Sequence, residues 1–550
     1  MSTINQKTIK DLLKQNIKSG ADLMAAKRRL AKKYGMKILQ NSEILEFIKN
    51  EKSPQPPLLK GVIRILRKRA VRTLSGVAPV AVLVRPFPCP GKCAYCPTEK
   101  DVPKSYLSNE PAVMRAIRCN YEPYKQVQYR LKALEANGHE PTKIELIVIG
   151  GTWSVLPAAY KYWYIKECFR AANEFNKKFS IFNFQFSNNL QINKLKKQLL
   201  KEQKKNEKAK YKIIGLTLET RPDYINEKEI LEMRELGCTR VELGVQAVDD
   251  KILAKNLRGH GVKEVTAATR LLKNYGFKVT YHIMPGLPGS TPAKDLKMFK
   301  SLFSDERFQP DQLKFYPTVV TKGSLLYKWW RAGKYKPYSN KDLENLIIAC
   351  KKAVPEYVRI VRLIRDIPAE SIVAGNKITN LRQILERRGV ECHCIRCREC
   401  RDLRFKIRDL RFKIVKYRAS DGDEYFLQYT NKGGDILYGF CRLRLPIVPL
   451  IKGDVRGFKN LKLTPLSPLY KGGKFALIRE LHVYGELVPV GRKKIIQHAG
   501  LGKKLMAEAE KITRMNGFKK IAVIAGVGAR EYYRKMGYKL KNNYMVKNLK

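Results

Sequence analysis

The chain has 550 residues with 109 Lys and Arg against 50 Asp and Glu, a formal net charge of +59. Such an excess of one sign repels itself and favours a polyanionic partner, nucleic acid above all, over a simple lysine bias of the genome. No signal peptide and no apolar run of about 20 residues is recognisable, so the sequence predicts a soluble cytoplasmic protein without a membrane segment. Most of the 12 cysteines stand in two tight groups, which favours metal or cluster ligation over a disulfide framework.

Residues 1–57 form a distinct basic segment at the start of the chain. Apolar residues recur there at helical spacing among many lysines. The sequence Ser53-Pro54-Gln55-Pro56-Pro57 ends this pattern, because clustered prolines cannot continue a helix. These residues predict a basic helical appendage followed by a linker.

Short β-rich runs alternate with longer helical stretches in residues 78–390, a pattern typical of a parallel α/β sheet or barrel. Six runs favour a partial (βα)6 TIM-like barrel over a closed eightfold one. The Lys-rich stretch Asn193–Lys212 interrupts one crossover, either as a solvated helix face or as an RNA-facing loop. The predicted strands are Val80–Val84, Ile144–Ile149, Ile213–Leu218, Val241–Val245, Val279–Met284 and Leu313–Tyr316.

The alternation of β-rich runs and helical stretches ends near residue 390. Residues 391–414 contain the second cysteine group and a tandem repeat of Arg-Asp-Leu-Arg-Phe-Lys-Ile at 401–407 and 408–414, which predicts an inter-domain linker with a lengthened strand or loop. Residues 415–550 predict a compact α/β domain, in which the Pro-, Gly- and Lys-rich stretch 446–473 is an inserted loop. Its predicted elements are the strand Phe475–Val483, a helix near Gly500–Met515, the strand Lys520–Ala525 and the helix Ala529–Met536.

The first cysteine group follows the first predicted strand. Cys89, Cys93 and Cys96 have C-x3-C-x2-C spacing, with Tyr95 before the last cysteine. Three thiolates on one loop can hold three irons of a 4Fe–4S cluster and leave the fourth open, whereas a structural zinc site usually closes with four ligands. No Cys or His follows nearby until Cys119, so the spacing favours the cluster. The loop resembles that of radical S-adenosylmethionine (SAM) enzymes, in which the open iron chelates the methionine part of SAM.

Residues near the ends of later strands are candidates for contacts to SAM. Gly150, Gly151 and Thr152 end the second predicted strand, where glycine lets the backbone approach a ligand. Barrel active sites form at the carboxyl ends of strands, so polar side chains at the ends of the third and fourth strands join them. Ordinary turns, capping and ion pairing are the alternative. The candidates from these two strands are Glu219, Arg221, Glu242 and Gln246.

A glycine-rich stretch precedes the first helix of the C-terminal domain and resembles the pyrophosphate loop of GNAT acetyltransferases. Its backbone N–H groups and the positive end of the helix would face the phosphates of acetyl-CoA. Tyr532 and Tyr533 resemble the residues that stabilise or protonate the leaving thiolate in that fold, with core packing as the alternative. The predicted loop consists of Gln497, His498, Ala499, Gly500, Leu501, Gly502 and Lys503.

The two patterns together are more specific than either alone. A radical SAM domain fused to a GNAT domain resembles the catalytic subunit of Elongator, in its prokaryotic single-subunit form, from about Val80 to Lys550. The seven-residue repeat and the 446–473 stretch depart from that family. The matching stretches are Glu110–Ala116, Gly150–Trp153, Glu219–Asp223, Glu242–Gln246, Met284–Gly289, Lys314–Thr318, Arg365–Pro368 and Arg479–Gly485.

The resemblance implies an acyltransferase that modifies the wobble uridine of tRNA with a 4Fe–4S cluster, SAM and acetyl-CoA. A radical made from SAM would activate the acetyl methyl, which adds to C5 of the uridine, and thioester hydrolysis would leave 5-carboxymethyluridine. The matching stretch at 479–485 adds Glu480 and His482 as cofactor-binding residues. The basic appendage and the Lys-rich stretches would grip the anticodon stem-loop. An electron donor is implied, and accessory subunits are not expected.

The second cysteine group stands between the two domains. Cys392, Cys394, Cys397 and Cys400 share one short segment, and resembling prokaryotic proteins bind zinc in this region. Four cysteines so close together would crowd a tetrahedral ion, so a distant fourth ligand is the alternative to Cys400. A cysteine group without metal is the third interpretation.

Two other functions compete with tRNA modification at this stage. A protein lysine acetyltransferase would use the C-terminal domain alone and would leave the first cysteine group unexplained. A basic RNA-binding scaffold with a structural iron–sulfur cluster would bind RNA without cleaving SAM or acetyl-CoA.

Overall fold

The computed structural model of the chain describes residues 3–50, 65–66, 76–176, 191–400, 410–446, 475–484 and 500–549. Several of the predicted features fall outside these residues: the prolines of the N-terminal linker, the first copy of the tandem repeat, most of the 446–473 stretch and residues 497–499.

Three N-terminal helices pack around a small core of their own. Ile9 and Leu12 lie one turn apart on the first helix and meet Leu30 and Ile44 from the other two. At the start of the second helix, the Ser19 hydroxyl accepts a hydrogen bond from the backbone N–H of Asp22, while the Asp22 carboxylate accepts one from that of Ser19. The helices are α1 (Thr3–Leu13), α2 (Gly20–Lys33) and α3 (Asn41–Asn50).

A parallel sheet of seven strands in the order β1-β2-β3-β4-β5-β6-β8 forms the centre of the molecule. All six predicted strands are present, and the predicted partial barrel is confirmed. The seventh strand, β8, has only four residues and carries arginine at both ends, so its sequence gave too weak a pattern to predict. The strands are β1 (Ala78–Leu83), β2 (Lys143–Ile149), β3 (Lys212–Thr220), β4 (Arg240–Gln246), β5 (Lys278–Ile283), β6 (Gln312–Phe315) and β8 (Arg359–Arg362); a small antiparallel pair, β7 (Val320–Thr321) and β9 (Ile372–Ala374), lies beside them.

Helices connect consecutive strands of this sheet. The Lys-rich stretch is the helix α7, which buries Leu195 and Leu199 and leaves most of its lysines exposed, so the alternative of an RNA-facing loop is wrong. The helices are α4 (Pro111–Arg118), α5 (Pro123–Ala136), α6 (Ala158–Asn173), α7 (Ile192–Lys208), α8 (Glu227–Leu236), α9 (Asp250–Lys255), α10 (Val262–Asn274), α11 (Pro292–Ser304), α12 (Leu325–Arg331), α13 (Asn340–Ala353), α14 (Leu381–Arg387) and α15 (Ile395–Arg398).

A second, mostly antiparallel sheet of seven strands forms the C-terminal unit, in the order β10-β11-β12-β13-β14-β16-β15. Its first strand begins at Arg411, four residues before the boundary expected at 415. β13 and β14 pair in parallel over Phe475–Ile478 only, and β13 then continues to Val483. The elements are β10 (Arg411–Arg418), β11 (Gly422–Thr430), β12 (Leu437–Pro446), β13 (Phe475–Val483), α16 (Leu501–Met515), β14 (Lys520–Val523), α17 (Arg530–Arg534), β15 (Lys539–Lys541) and β16 (Tyr544–Asn548).

Buried charges join the C-terminal unit to the amino ends of the barrel strands. Arg479 of β13 donates to Asp311, which precedes β6, at 2.9 Å and to Glu424 of β11 at 3.0 Å. Its second nitrogen donates to the carbonyl of Phe277, just before β5, at 2.8 Å. Although burial acts to raise the pKa of Asp311, the charge of Arg479 and its neighbours holds it well below the usual value.

Glycine lets the two units meet backbone to backbone. A Cβ on Gly526, which follows β14, would collide with the carbonyl oxygen of Ile214 in β3. Gly528 also lies close to Lys212, where an added Cβ would be 2.6 Å from the lysine Cβ. The C-terminal unit therefore closes the end of the barrel at which the strands begin, opposite the loop that carries the first cysteine group. Among the described residues, no helix is both long and apolar enough to span a membrane.

Arg479→Met should destabilise the protein by about 3–5 kcal/mol, because it leaves Asp311 and Glu424 buried with less compensation. The matched control is Arg307→Met, whose exposed pair with Asp305 should contribute about 0–1 kcal/mol. Urea unfolding followed by circular dichroism measures both variants. Equal, small shifts would show that the buried pair does not hold the two units together.

Candidate active site

The first cysteine group lies on the loop after β1, above the carboxyl end of the sheet. Cys93 is buried, while Cys89 and Cys96 are half-buried. The loop is anchored by hydrogen bonds from the Ala94 amide to the carbonyl of Asn256, at 3.0 Å, and from the Cys96 amide to that of Cys93, at 3.2 Å. All three sulfur-bearing residues line the same central cavity. All three predicted cluster ligands therefore face the same cavity, and the side chains of Cys93 and Cys96 are in hydrogen-bond contact.

Two arginines surround Cys93. Arg258 Nη1 lies 3.3 Å from the Cys93 sulfur and Arg221 Nη1 lies 3.9 Å from it. A hydrogen bond from Cys96 and the positive charge of Arg258 lower the pKa of Cys93 despite its burial. The bond to Cys93 and burial raise the pKa of Cys96, so it is at Cys93 that the thiolate, the form that ligates iron, is favoured. Sequence reasoning missed Arg258, which follows α9 and belongs to no recognisable pattern.

The predicted glycine pair bends the chain where β2 ends. Gly150 and Gly151 have φ of 125° and 73°, which side-chain-bearing residues rarely adopt. A Cβ on Gly151 would have no atom of the described residues within 4 Å, so its backbone is open to the cavity. The hydroxyl of Thr152 lies 3.8 Å from the Cys89 sulfur. This turn therefore presents bare backbone beside the cysteine loop, as contact with a cofactor requires.

An imidazole lies between two of the predicted carboxylates inside the barrel. His282 of β5 places Nε2 3.0 Å from Glu242 and Nδ1 3.5 Å from Glu219. Lys314 of β6 also pairs with Glu242. Although burial alone would raise the pKa of Glu242, the charge of Lys314 and the bond to His282 hold it well below the usual value. Tyr106 completes the group by donating to Glu219 at 3.0 Å.

Sequence reasoning identified the two carboxylates but missed their partners. His282 and Tyr106 come from distant parts of the chain, and neither was singled out as a site residue. Lys314 stands in a matching stretch of the resemblance, yet received no role. Only the alternation of side chains along β5 and β6 could have shown that His282 and Lys314 both point inward.

Gln246 carries an unpaired polar atom into the site. It ends β4 with a positive φ of 72°, an uncommon conformation for this residue. Its buried Oε1 accepts no hydrogen bond from any residue in the described ranges. A buried acceptor without a donor is costly, so this atom suits a bound polar ligand. With the thiolate-favouring loop and the open glycine turn, the site fits a 4Fe–4S cluster and SAM.

The C-terminal half of the site opens at the start of α16. Gly500 has a positive φ of 79° just before the helix, and Leu501 is buried beneath it. A Cβ on Gly502 would lie 2.5 Å from the Tyr532 hydroxyl oxygen, so a larger residue there would displace the Tyr532 side chain. Lys503 is exposed and lines the cavity. Residues 497–499 of the predicted loop lie outside the described residues.

The two candidate tyrosines have different surroundings. Tyr532 is 40% exposed and points its hydroxyl at Gly502, at the start of α16. Tyr533 is buried in the core of the C-terminal unit and packs edge-on against Tyr538. Burial raises the pKa of Tyr532, which keeps its proton on the oxygen. Tyr532 thus faces the start of the helix, whereas Tyr533 is mainly a core residue.

Glu480 and His482 lie on the part of β13 beyond its pairing with β14. Glu480 accepts from Arg442 at 2.9 Å and pairs with Lys278 of the barrel at 3.2 Å. His482 stacks on Phe440 with ring centroids 5.9 Å apart, and burial lowers its pKa. Both residues line the cavity. Glu480 therefore also bridges the two units of the chain.

One cavity of about 2140 Å³ reaches both halves of the site. Its lining includes Cys89 of the cysteine loop, Glu242 and His282 of the barrel interior, and Gly502 and Tyr532 of the C-terminal unit. The same cavity therefore extends from the cysteine loop to the start of α16.

The second cysteine group is compact. The sulfurs of Cys392, Cys394 and Cys397 all lie within 4.8 Å of one another. Cys400 is not part of this set; it is buried, and its amide donates to the carbonyl of Leu437 at 3.1 Å. The separation of the three sulfurs suits a single metal ion with a fourth ligand from elsewhere.

Comparison with protein families identifies the class of the barrel. Residues 88–302 match the radical SAM superfamily, and residues 310–389 match the radical SAM C-terminal domain. The half-barrel and its three-cysteine loop thus define a radical SAM protein, which implies SAM and a 4Fe–4S cluster as cofactors.

Similarity to individual proteins extends over nearly the whole chain. It is 44% identical to the tRNA uridine(34) acetyltransferase of Dehalococcoides mccartyi, over 88% of this chain and 100% of that protein. It is 37% identical to human Elongator complex protein 3, over 99% of this chain and 97% of that protein. The archaeal Methanocaldococcus infernus Elp3 with an N-terminal deletion superposes with a TM-score of 0.68 at 38% identity, covering 86% of this chain and 99% of that structure. The chain belongs to the family of tRNA uridine(34) acetyltransferases and Elongator complex protein 3, which confirms the resemblance.

Arg258→Met should loosen the cluster, because the Cys93 thiolate loses its nearest positive charge. Replacing a residue that supports a metal ligand typically weakens metal binding by about 10–100-fold. Iron and sulfide content after reconstitution and gel filtration measures the effect. Lys251→Met, an exposed lysine on the same segment, is the matched control, and Arg258→Lys should restore part of the retention. Equal iron content in all three variants would contradict this role.

Proposed function

We propose that the chain modifies C5 of the wobble uridine of tRNA to 5-carboxymethyluridine, using SAM and acetyl-CoA. Its relatives bear the name tRNA uridine(34) acetyltransferase at 42–44% identity. The observation that carries the proposal for this chain is the shared cavity, which reaches the cysteine loop and the start of α16. An acetyltransferase acting alone would need no such connection to a radical SAM barrel.

In this proposal the barrel residues bind and orient the radical source. Cys89, Cys93 and Cys96 hold the cluster, which with SAM supplies a carbon-centred radical able to activate the acetyl methyl. The backbone at Gly150–Thr152 and the free acceptor of Gln246 bind the polar groups of SAM. Arg221 keeps positive charge beside the cysteine loop.

The carboxylate group inside the barrel holds its ligands in place. Glu219 and Glu242 present oxygens fixed by Tyr106, His282 and Lys314, so little reorganisation is needed when a ligand binds.

The C-terminal unit binds acetyl-CoA at the start of α16. Backbone N–H groups at Gly500–Lys503 face the pyrophosphate, and Gln497, His498 and Ala499 belong to the same predicted loop. The Tyr532 hydroxyl supplies a proton or a hydrogen bond to the departing thiolate. Glu480 and His482 line the path between the acyl group and the barrel, and Tyr533 supports Tyr532 from the core.

The basic surfaces and the second cysteine group have roles in substrate binding and in structure. The N-terminal helices and the exposed lysines of α7 bind tRNA phosphates, and the enzyme acts in the cytoplasm without an accessory subunit. Cys392, Cys394 and Cys397 hold a structural zinc ion, with Cys400 or another group as the fourth ligand.

Incubation of the reconstituted protein with tRNA, SAM, acetyl-CoA and a reductant under anaerobic conditions should yield 5-carboxymethyluridine, detected by nucleoside mass spectrometry. Omission of either cofactor should abolish the product, as should Cys96→Ala. Cys119→Ala, a buried cysteine outside both groups, is the matched control and should retain activity. Product formed without SAM, or by Cys96→Ala, would refute the joined mechanism and favour plain acyl transfer.

Tyr532→Phe and Tyr533→Phe should differ although the residues are adjacent. Loss of the Tyr532 hydroxyl should slow acetyl-CoA turnover at least about tenfold, because it removes the proton donor at the thioester. Tyr533→Phe should leave turnover within about threefold, because its ring packing is kept. Release of free CoA measures both rates. The reverse ranking would assign the proton to Tyr533.

A further inference from the structure

A strongly basic surface lies on α12 and the segment around it. The chain has no Asp or Glu between Asp311 and Asp342. Six exposed cations stand in that interval, and in the described part of the chain none of them has a carboxylate within 4.0 Å. They are Lys322, Lys328, Arg331, Lys334, Lys336 and Lys341.

Aromatic and apolar side chains form the middle of this α12 surface. Tyr327 and Trp330 stack with ring centroids 6.0 Å apart and an angle of 26° between their planes. Trp329 and Trp330 are half-buried, and Leu325 is 37% exposed. A centre rich in Trp and Tyr with a charged rim is typical of protein–protein interfaces.

The α12 surface is built directly on the cysteine loop. The Leu326 amide donates to the carbonyl of Ala94 at 2.7 Å, and the Thr98 amide donates to that of Gly323 at 3.1 Å. Leu326 shares a hydrophobic cluster with Cys93, and Trp329 and Trp330 pack against the same cluster. A partner seated on α12 would therefore lie just outside the predicted iron–sulfur site.

The same surface lies outside the reaction chamber. As far as the described residues show, the lining of the central cavity includes none of residues 322–341. A uridine or an acyl group bound on α12 would have no access to the radical source. An electron carrier needs no such access, because the electron only has to cross the thin layer of protein between α12 and the cysteine loop.

We propose that the α12 surface is the docking site of a small acidic protein that carries a low-potential one-electron centre and reduces the cluster. This inference rests on the proposed function, in which the cluster must be reduced in each turnover. The carrier loses one electron and the cluster held by the three cysteines gains it; no atom or group is transferred. The exposed cations steer the acidic partner and Leu325, Trp329 and Trp330 form the contact, which suits the small and transient interfaces of redox partners.

RNA fits this surface less well. Nucleic-acid bases stack on open aromatic faces. Here Tyr327 covers one face of Trp330, and Trp329 and Trp330 are both half-buried against the cluster that contains Leu326, with only part of each ring open to a partner. The aromatic groups are therefore placed to bury area against a protein rather than to receive bases.

The test compares Lys328→Glu/Arg331→Glu/Lys334→Glu with the matched control Lys511→Glu/Arg514→Glu/Lys519→Glu at and just after the carboxyl-terminal end of α16, which makes the same change in charge at exposed positions. Reduction of the reconstituted cluster is followed by electron paramagnetic resonance, with an acidic flavodoxin and an acidic ferredoxin as probes and dithionite as a small reductant. The α12 variant should be reduced on the order of tenfold more slowly by the protein carriers at low salt, and the difference should shrink as salt rises. Dithionite should reduce all three proteins equally.

Binding gives a second readout that needs no cluster. Two of the four tryptophans, Trp153 and Trp163, are buried, so docking of flavodoxin should quench emission mainly from Trp329 and Trp330. Trp329→Phe/Trp330→Phe should lose most of that quenching. Unchanged reduction of the α12 variant by both carriers, or a wild-type cluster that neither carrier reduces, would overturn the proposal. A loss of tRNA affinity with unchanged carrier reduction would also overturn it and assign the surface to RNA.

The dithionite reaction separates this inference from the proposed function. Carboxymethyluridine formed by the α12 variant with dithionite, but not with the carriers, supports both. Absence of product with dithionite in the wild-type protein would contradict the proposed function. The docking measurement on the cluster-free protein would then still test the carrier site independently.

Discussion

The contact of Arg479 with Asp311 and Glu424 is the constraint on which the arrangement of the two units depends. Charges this deeply buried are stable only when each has its partner, so the C-terminal sheet has one permitted position beneath the barrel. Arg442, Glu480 and Lys278 continue the same pairing toward the cavity. The network thereby sets the distance and direction between the cysteine loop and the start of α16.

This alignment makes the barrel interior a passage rather than a filled core. Small closed barrels are packed with side chains, but the open side and the inward polar groups Glu242, His282 and Lys314 leave room here. Those groups must be mutually paired, because an unpaired charge inside the sheet would be costly. The chemistry of the site and the stability of the half-barrel therefore use the same residues.

Much of this architecture could be predicted from the sequence because it depends on local patterns. The strand alternation, the cysteine spacing and the glycine-rich start of α16 are each written in a few adjacent residues. The partners Arg258 and His282 could not be predicted in this way, because their roles arise from contacts between distant segments. The strands β11 and β12 were missed as well, and β10 was expected only as a lengthened strand or loop, because the mixture of apolar and charged residues between Arg411 and Pro446 did not suggest a sheet.

The close approach of Gly526 to Ile214 has a consequence for how such a chain can evolve. Backbone packed against backbone and mutually paired charges at this contact leave little tolerance for an unrelated domain in place of the C-terminal unit. Replacing the C-terminal unit would bring a side chain into this contact or leave the buried carboxylate of Asp311 without its arginine partner. The two units must therefore be inherited together, and a substitution on one side of their contact requires a compensating substitution on the other.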